Sequence, residues 1–354
     1  MSENTATIAG IGEAFPEHYY TQEEMLQELS RVWQDSGVDL RKLARLHRHT
    51  TVEGRYLALP LEAYERLGCW GEANNLWIQS AEELGERAAR SALAQAGCDA
   101  TDVDYLCFVS VTGLSTPSID ALLVNRLGLP ARVKRLPIFG LGCVAGAAGL
   151  ARCADLVEAR PRGVVMLVSV ELCSLTIHLD DLSPANMIAT GLFGDGAAAV
   201  VLVGDGKAAT GPTIVASRSV LYPGTEQVMG WEISERGFDL ILSPEIPRLI
   251  GEHLGEDVDE FLREQGLQRS DIRRWMVHTG GPKIFSAIEE ALALPATALA
   301  VSRDKLRAVG NISSASVLQV LKQTSDKQRP QDGAYGLLFA VGPGFCCELV
   351  LVRW

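Results

Sequence analysis

Three short, glycine-flanked stretches constrain the fold of this chain most, because each lies at a predicted junction between a strand and a helix. They are GCVAG at residues 142–146, HTGGP at 278–282 and GNISS at 310–314. Glycine permits the tight turns that such junctions require. In α/β proteins the side chains at the carboxyl ends of strands are exposed at one edge of the sheet. We therefore expect an α/β fold.

The strand and helix patterns of the rest of the chain extend this prediction. A helix is predicted from about Thr21, a good N-cap with Glu24 at capping-box spacing, and a long helix from about 75 to 97. Strands are predicted at 105–111, 133–139 and 164–170, with an Ala- and Gly-rich helix from 143 to about 158. Such alternation indicates a largely parallel sheet covered by helices.

Two distant segments share a sequence pattern. Residues 194–203 and 342–352 each begin with a Gly-x-Gly turn and continue into small and β-branched residues. If each run is the last strand of a half, the polar stretch 204–212 connects two similarly built halves, residues 1–205 and 206–354. Chance pairing of two Gly-x-Gly turns is the alternative explanation.

Composition excludes several classes of protein. The 354 residues are 47% hydrophobic, enough for a large core, and the net charge of -12 argues against nucleic-acid binding. The N-terminus lacks a signal-peptide pattern and no apolar run is long enough to cross a bilayer, so we expect a soluble cytoplasmic protein without membrane insertion. Eight scattered cysteines without a C-x-x-C pair are expected to be mostly reduced core residues.

One basic segment departs from this acidic background. Residues 41–49 contain four Lys and Arg, and Lys42, Arg45 and His49 fall on one face of a helix. Such a face is suited to a polyanion such as a phosphate-bearing cofactor. A solvated helix surface is the alternative explanation.

The three junctions also carry a nucleophile, an imidazole and an amide. Cys143 opens a predicted helix, whose free N–H groups and dipole favour the reactive thiolate. His278 ends the apolar strand 275–277, and Asn311 follows Gly310. Each alone has an ordinary structural explanation, namely a small packed residue, a core histidine and a helix N-cap. Together they are the groups that a thioester-condensing enzyme uses.

Over nearly its whole length the sequence resembles the type III polyketide synthases, the chalcone and stilbene synthase group of the thiolase-like superfamily. The motifs that carry the resemblance are the Cys143 helix motif, GLFGDG at 191–196, His278 with GGP at 280–282, Gly310 and Asn311 with Ser313 and Ser314, and GPG at 342–344. The resemblance implies a thiolase-like αβαβα five-layer fold of two related halves. It also implies a homodimer that uses coenzyme A thioesters, with no metal and no redox cofactor.

The resemblance implies a role for each residue of the trio. Cys143 would be the nucleophile that accepts a starter acyl group from its coenzyme A thioester. His278 would hold the thiolate as an ion pair. With Asn311 it would donate hydrogen bonds to the thioester oxygen of malonyl-CoA, which becomes an enolate on decarboxylation. Claisen condensation follows without a general base.

Further positions are assigned by the same resemblance. Phe193 matches an aromatic gate, Leu240 stands where the family has a second gating aromatic, and Trp231 is bulky where a small residue is common. The other residues expected at the cavity are Val111, Thr112, Cys173, Thr176, Ser313, Gly342, Pro343 and Gly344. Those expected to bind coenzyme A are Lys42, Arg45, His49 and Lys283. Core packing is the alternative explanation for Phe193 and Trp231.

Residues 221–231 resemble the bacterial branch that makes alkylpyrones and alkylresorcinols. We therefore expect a medium- or long-chain fatty acyl-CoA starter in an apolar tunnel, and a pocket that Trp231 restricts to tri- or tetraketides. Lactone and aldol closure both stay open. The rival functions are a ketoacyl synthase of the initiation type, which would use acyl carrier protein and show His-Gln-Ala-Asn at 278–281, and a non-enzymatic acyl-CoA binding protein.

Overall fold

The computed structural model describes residues 5–204, 206–207 and 209–354. The strands are β1 (Ala6–Ala14), β2 (His18–Thr21), β3 (Gly54–Leu57), β4 (Val103–Val109), β5 (Lys134–Ile138), β6 (Val164–Leu172), β7 (Asp195–Val203), β8 (Thr213–Leu221), β9 (Met229–Ser234), β10 (Gly237–Leu242), β11 (Ile272–Val277), β12 (Tyr335–Gly342) and β13 (Cys346–Arg353). The helices are α1 (Gln22–Val32), α2 (Leu40–His49), α3 (Trp70–Ala96), α4 (Ile119–Leu127), α5 (Ala145–Ala159), α6 (Pro184–Leu192), α7 (Ile246–Glu264), α8 (Pro282–Leu292), α9 (Ala300–Val309) and α10 (Ala315–Lys327).

Most of the predicted elements form with shifted ends. The capping box at Thr21 is confirmed, since its hydroxyl accepts from the Glu24 backbone N–H at 3.2 Å and Glu24 accepts from the Thr21 backbone N–H at 2.7 Å. The predicted helix 75–97 begins earlier, at Trp70, and the predicted helix at 143 begins with a 3-10 turn, Gly142–Val144, before α5. Local capping chemistry therefore fixes the start of α1 better than hydrophobic periodicity fixes the start of α3.

Nine strands form one mixed sheet in the order β11-β12-β13-β8-β1-β7-β6-β4-β5. Only the pairs β4–β5, β4–β6 and β11–β12 are parallel, whereas the other five neighbouring pairs are antiparallel. The prediction of a largely parallel sheet is therefore wrong. The strands read from the sequence included the parallel group β4, β5 and β6, but β1, β7, β8 and β13 pair with distant partners that no local pattern reveals.

Three layers of helix cover the two faces of this sheet. Helices α5 and α10 share one apolar core with strands from both ends of the sheet. Helices α3 and α4 pack with β4, β6 and β7, and α7 and α8 pack with β11, β12 and β13. Because α5 and α10 are the innermost helices, the segments that lead into them are buried deep in the molecule.

The strand order also relates the two repeated segments. β7 lies between β1 and β6, and β13 lies between β8 and β12, on opposite sides of the central β1–β8 pair. The division into halves at residues 205 and 206 stays a prediction. Its boundary residue 205, residue 208 of the predicted connection and residues 1–4 of the N-terminus lie outside the described residues.

All eight cysteines are free thiols, and Cys107, Cys153, Cys173 and Cys347 are buried. Within the described ranges, no helix combines the length and the apolar character needed to cross a membrane.

Candidate active site

The fold brings Cys143, His278 and Asn311 to one cavity of about 90 Å³. Cys143 lies in the 3-10 turn before α5, His278 directly follows β11, and Asn311 precedes α10. Glycine permits the close approach of the two innermost helices, since a Cβ on Gly146 would lie 2.1 Å from the Ser314 carbonyl oxygen. A larger residue at position 146 would therefore move Cys143 away from the Asn311 segment.

The amide of Asn311 has a defined orientation. Its Oδ1 accepts a hydrogen bond from the Ser313 backbone N–H at 2.8 Å, which leaves the Nδ2 group free to donate. The N-cap of α10 is Ser314, so the sequence-based alternative of Asn311 as an N-cap is wrong. The Asn311 backbone instead pairs with the Phe193 segment, because its N–H donates to the Leu192 carbonyl oxygen at 2.9 Å. The arrangement presents an amide donor at the cavity.

The imidazole of His278 is buried, and its backbone N–H continues the sheet by donating to the Phe339 carbonyl oxygen at 3.1 Å. Its Nδ1 atom is buried and has no hydrogen-bond partner in the described part of the chain. Burial lowers the pKa of His278 to about 4, because the imidazolium loses its hydration. The isolated imidazole is therefore neutral at pH 7.

Burial shifts the pKa of Cys143 upward, opposite to its effect on the pKa of His278. It raises the pKa of this thiol to about 12, a shift opposed by the hydrogen bond with Ser313 and reinforced by the negative charge of Glu171. Transfer of the thiol proton to His278 creates both charges together, and their mutual attraction offsets part of the lost hydration. A thiolate–imidazolium pair would therefore cost less than either charge created alone.

A buried carboxylate that sequence reasoning missed lies next to this site. Glu171 accepts hydrogen bonds from the Val111 backbone N–H at 3.1 Å and the Thr112 hydroxyl at 2.9 Å, and also from the hydroxyls of Ser110 and Ser314. Burial raises its pKa, although these hydrogen bonds oppose the shift. A single acidic residue in the apolar strand β6 was the signal available in the sequence. The carboxylate joins the strand ends to the Asn311 segment.

Most of the residues predicted to line the cavity do so. They are Val111, Thr112, Cys173, Thr176, Phe193, Trp231, Leu240, Ser313 and Pro343. Gly342 and Gly344 are not lining residues of this cavity. A Cβ on Gly342 would lie 2.5 Å from Val144 Cγ1, and one on Gly344 would lie 2.9 Å from Leu221 Cδ1. These two glycines therefore permit close packing next to the cavity wall.

A small hairpin forms another wall of the cavity. Strands β9 and β10 pair so that Trp231 and Leu240 are direct partners and share one face. The Trp231 ring lies 5.8 Å from the ring of Phe238, which also contacts Trp70 with a centroid separation of 5.9 Å. Trp231 thus faces the cavity rather than the main core, contrary to the alternative explanation from the sequence.

A buried arginine holds the backbone that precedes and includes Phe193. The Arg55 guanidinium donates to the carbonyl oxygens of Thr190 at 2.8 Å, Gly191 at 2.8 Å and Phe193 at 3.2 Å, and also to Gln22. Burial lowers its pKa to about 9. Sequence reasoning missed this contact because Arg55 and the Phe193 segment are distant along the chain.

A second cavity, of about 460 Å³, lies on the other side of Phe193. The two cavities share Thr176, Ile177, His178 and Phe193. Much of the remaining wall is apolar, including Met25, Leu29, Val32, Leu57, Leu61, Trp70 and Phe238. Space for an apolar chain therefore exists next to the cavity that Cys143, His278 and Asn311 line.

The predicted coenzyme A residues lie on the surface. Lys42, Arg45 and His49 are exposed on one face of α2, and Lys283 is exposed at the start of α8. None of the four forms an ion pair with a described residue, and none lines either cavity. Helix α2 is anchored by its buried side, where His47 Nε2 lies 3.2 Å from the Thr190 hydroxyl. The exposed cations are thus available to a polyanion.

Two family profiles together cover nearly the whole chain. The profile of the N-terminal domain of chalcone and stilbene synthases matches residues 1–206, and that of the C-terminal domain matches residues 213–354. A 1,3,6,8-tetrahydroxynaphthalene synthase of Streptomyces peucetius subsp. caesius is 46% identical over 351 residues, which cover 98% of this chain and 93% of the relative. A putative chalcone synthase of Bacillus subtilis (strain 168) is 36% identical and covers 99% of both chains.

Solved structures of type III polyketide synthases are also similar to this chain. The crystal structure of 1,3,6,8-tetrahydroxynaphthalene synthase from Streptomyces coelicolor A3(2), a bacterial type III polyketide synthase, superposes with a TM-score of 0.93 at 33% identity, covering 98% of this chain and 99% of the other. PKS-I from the brown alga Ectocarpus siliculosus has a TM-score of 0.92 at 28% identity, covering 100% and 99%. The predicted α/β class with a thiolase-like architecture is confirmed.

Proposed function

The chain belongs to the chalcone and stilbene synthase family, the type III polyketide synthases, and on this basis we propose that it condenses malonyl-CoA units onto an acyl group held on Cys143 and closes the product into an aromatic ring. It is an acyltransferase enzyme of secondary metabolism. The observation that carries the proposed site is the meeting of Cys143, His278 and Asn311 at one cavity.

The proposed chemistry assigns one task to each residue. The Cys143 thiolate attacks the carbonyl carbon of the starter thioester and displaces coenzyme A. His278 takes the thiol proton and, with Asn311 Nδ2, donates hydrogen bonds to the thioester oxygen of malonyl-CoA. These donors stabilise the enolate that forms as carbon dioxide leaves. The enolate carbon then attacks the acyl group on Cys143, which releases the thiolate and lengthens the chain by two carbons.

For the starter, we favour an acyl unit derived from malonyl-CoA itself. The small catalytic cavity, with Trp231 in its wall, supports a short starter. Relatives include three named tetrahydroxynaphthalene synthases and a phloroglucinol synthase of Pseudomonas fluorescens, whose products are polyhydroxylated aromatic rings. A naphthalene has ten ring carbons, or five two-carbon units, whereas the bulk of Trp231 predicts three or four units. Product length therefore tests the effect of Trp231.

A fatty acyl starter is the second candidate, favoured by the second cavity of about 460 Å³ and its largely apolar wall. A medium or long acyl chain would pass Phe193 and Thr176 to reach it, and its burial would contribute about 0.8 kcal/mol per methylene group. The products in this case would be alkylpyrones or alkylresorcinols. Affinity for the starter should then rise with chain length.

Mass spectrometry of products separates these candidates. Purified protein would receive malonyl-CoA alone, malonyl-CoA with acyl-CoA starters from acetyl to long-chain, or an aromatic starter. Polyhydroxylated aromatics from malonyl-CoA alone would support the first proposal, and products that track starter length would support the second. Condensation only with malonyl-acyl carrier protein would contradict coenzyme A as the malonyl donor and indicate the ketoacyl synthase route.

We further propose that the enzyme is a cytoplasmic homodimer. We also propose that it needs no metal or redox cofactor, because loss of carbon dioxide drives the condensation. Light scattering should then give twice the mass of 38.2 kDa. Activity should survive EDTA, and dependence on an added metal would contradict the proposal.

A further inference from the structure

A second histidine lies in the wall of the catalytic cavity. His178 follows the 3-10 turn Cys173–Thr176 and lines both the catalytic and the second cavity. Its backbone carbonyl accepts a hydrogen bond from Asn186 Nδ2 at 2.7 Å. The condensation steps described above do not use this side chain.

Hydrogen-bond acceptors fix the tautomer of this ring. The Nε2 atom of His178 lies 3.2 Å from the Phe238 carbonyl oxygen and 3.5 Å from Asp239 Oδ1. Because a carbonyl and a carboxylate can only accept, Nε2 carries the hydrogen, and the neutral ring keeps a lone pair on Nδ1. No described residue forms a hydrogen bond with Nδ1. The ring therefore offers a nitrogen lone pair that has no hydrogen-bond partner among the described residues.

The carboxylate behind the ring is itself held in place. Ser234 donates from its hydroxyl to Asp239 Oδ2 at 2.6 Å, and Arg236 Nη2 donates to Asp239 Oδ1 at 3.3 Å. Arg236 also contacts Asp180 at 3.2 Å. The residues that contact the His178 ring and the Asp239 carboxylate all belong to the hairpin region that carries Trp231, namely Ser234, Arg236, Phe238 and Asp239 itself. The Phe238 carbonyl and Asp239 therefore orient the ring from its Nε2 side, as a third group orients a catalytic base.

We propose that His178 is the general base for carbon–carbon ring closure of the bound polyketide, an inference that rests on the proposed function. Nδ1 takes a proton from a methylene carbon that lies between two carbonyl groups. The enolate carbon then attacks a carbonyl carbon farther along the same chain, forming the ring bond while the carbonyl electron pair moves to oxygen. His178 returns the proton to that oxygen, so the step needs no oxidant or reductant.

Lactone formation makes a different demand on the site. There an enol oxygen attacks the thioester carbonyl and displaces Cys143, so the bond that forms is carbon–oxygen. Removal of the base should therefore slow carbocycle formation selectively and let pyrones accumulate from the same intermediates. The ratio of the two product classes reports on His178 independently of the total rate of condensation.

The test is the ratio of carbocyclic aromatic product to pyrone made from malonyl-CoA, measured by liquid chromatography and mass spectrometry. His178→Gln keeps a side chain of similar size without the base and should lower the ratio by about tenfold or more. In His178→Ala, added imidazole should restore part of the ratio, which a merely structural role would not do. The control is His253→Gln, on α7 outside both cavity linings, which should match wild type.

Asp239→Asn keeps the shape of the carboxylate and tests its role as a positioning residue. It should lower the ratio less than His178→Gln, and the double variant should equal His178→Gln alone. An unchanged ratio in both His178 variants, with normal circular dichroism, would overturn the proposal. If His178→Gln fails to fold, an unchanged ratio in Asp239→Asn would overturn the proposal. Failure of the proposed function would give a different result from failure of the His178 proposal, because the wild-type protein would then make no polyketide at all.

Discussion

The sulfur of Cys143 lies 3.7 Å from the hydroxyl oxygen of Ser313, although the two residues are 170 positions apart. The same serine donates its backbone N–H to Asn311 Oδ1 at 2.8 Å. Ser313 has a positive φ of 40°, which turns the chain between these two contacts. Ser313 thus contacts the Cys143 thiol and orients the Asn311 amide, so the segments before α5 and α10 meet at one cavity.

The thiol of Cys143 should depend on His278 for its reactivity. In His278→Gln no imidazole can take the thiol proton, so burial leaves the pKa of Cys143 at about 12. Alkylation by iodoacetamide at pH 7 should then fall by at least about 100-fold, since each pH unit below the pKa lowers the thiolate fraction about tenfold. Site-resolved mass spectrometry over pH 6–10 measures this, with exposed Cys69 as an internal control. Equal pH profiles in wild type and variant would contradict the pairing.

Asn311→Ala should slow malonyl-CoA decarboxylation. The variant removes one donor to the developing enolate, a loss worth about 10²–10³ in rate where such donors have been removed. Formation of acetyl-CoA from malonyl-CoA is the measurement, with the exposed Asn75→Ala on α3 as a matched control. Decarboxylation at the wild-type rate would remove Asn311 from the mechanism.

Trp231→Ala should enlarge the catalytic cavity. Because the ring faces the cavity opposite Leu240 on the hairpin, its removal should admit a longer polyketide and shift products by one or more two-carbon units. The control is Ile233→Ala on the same strand, where the side chain is 56% exposed. The product spectrum by mass measures the effect, and an identical spectrum would show that Trp231 does not limit length.

Arg45→Ala should raise the apparent KM for malonyl-CoA with little change in kcat. The exposed guanidinium has no ion-pair partner among the described residues, so a bound phosphate would gain an attraction worth up to about 1 kcal/mol, or about fivefold. Steady-state kinetics at two salt concentrations check this, because added salt should raise the wild-type KM more than that of the variant. Arg248→Ala on α7 is the control, and equal KM values would assign α2 to the solvated surface.

Arg55→Lys should destabilise the protein although the charge is kept. A lysine ammonium cannot reproduce the fork that donates to the carbonyl oxygens of Thr190, Gly191 and Phe193, so buried acceptors lose partners. We expect the free energy of unfolding in urea to fall by about 2–4 kcal/mol. The exposed Arg87→Lys on α3 should change it by less than about 0.5 kcal/mol. Equal stability of the two variants would contradict the role of Arg55.

The sequence alone led to the family of this protein and predicted many of its local elements. The three candidate catalytic residues, the Thr21 capping box, the strand before His278 and the α/β class could all be predicted from short segments. They depend on local rules, namely side-chain reactivity, capping and hydrophobic periodicity, which act within a few residues. The resemblance that these motifs carry then led to the family.

Tertiary structure decided which of these features meet. Strand direction was mispredicted because β1, β7, β8 and β13 pair across long sequence distances, and Gly342 and Gly344 proved to be packing glycines beside the cavity. Asn311 proved to be an oriented donor rather than a helix cap. The contacts of Glu171, Arg55 and His178 could not be predicted from the sequence either, because burial and hydrogen bonding between distant segments arise only when the chain is packed.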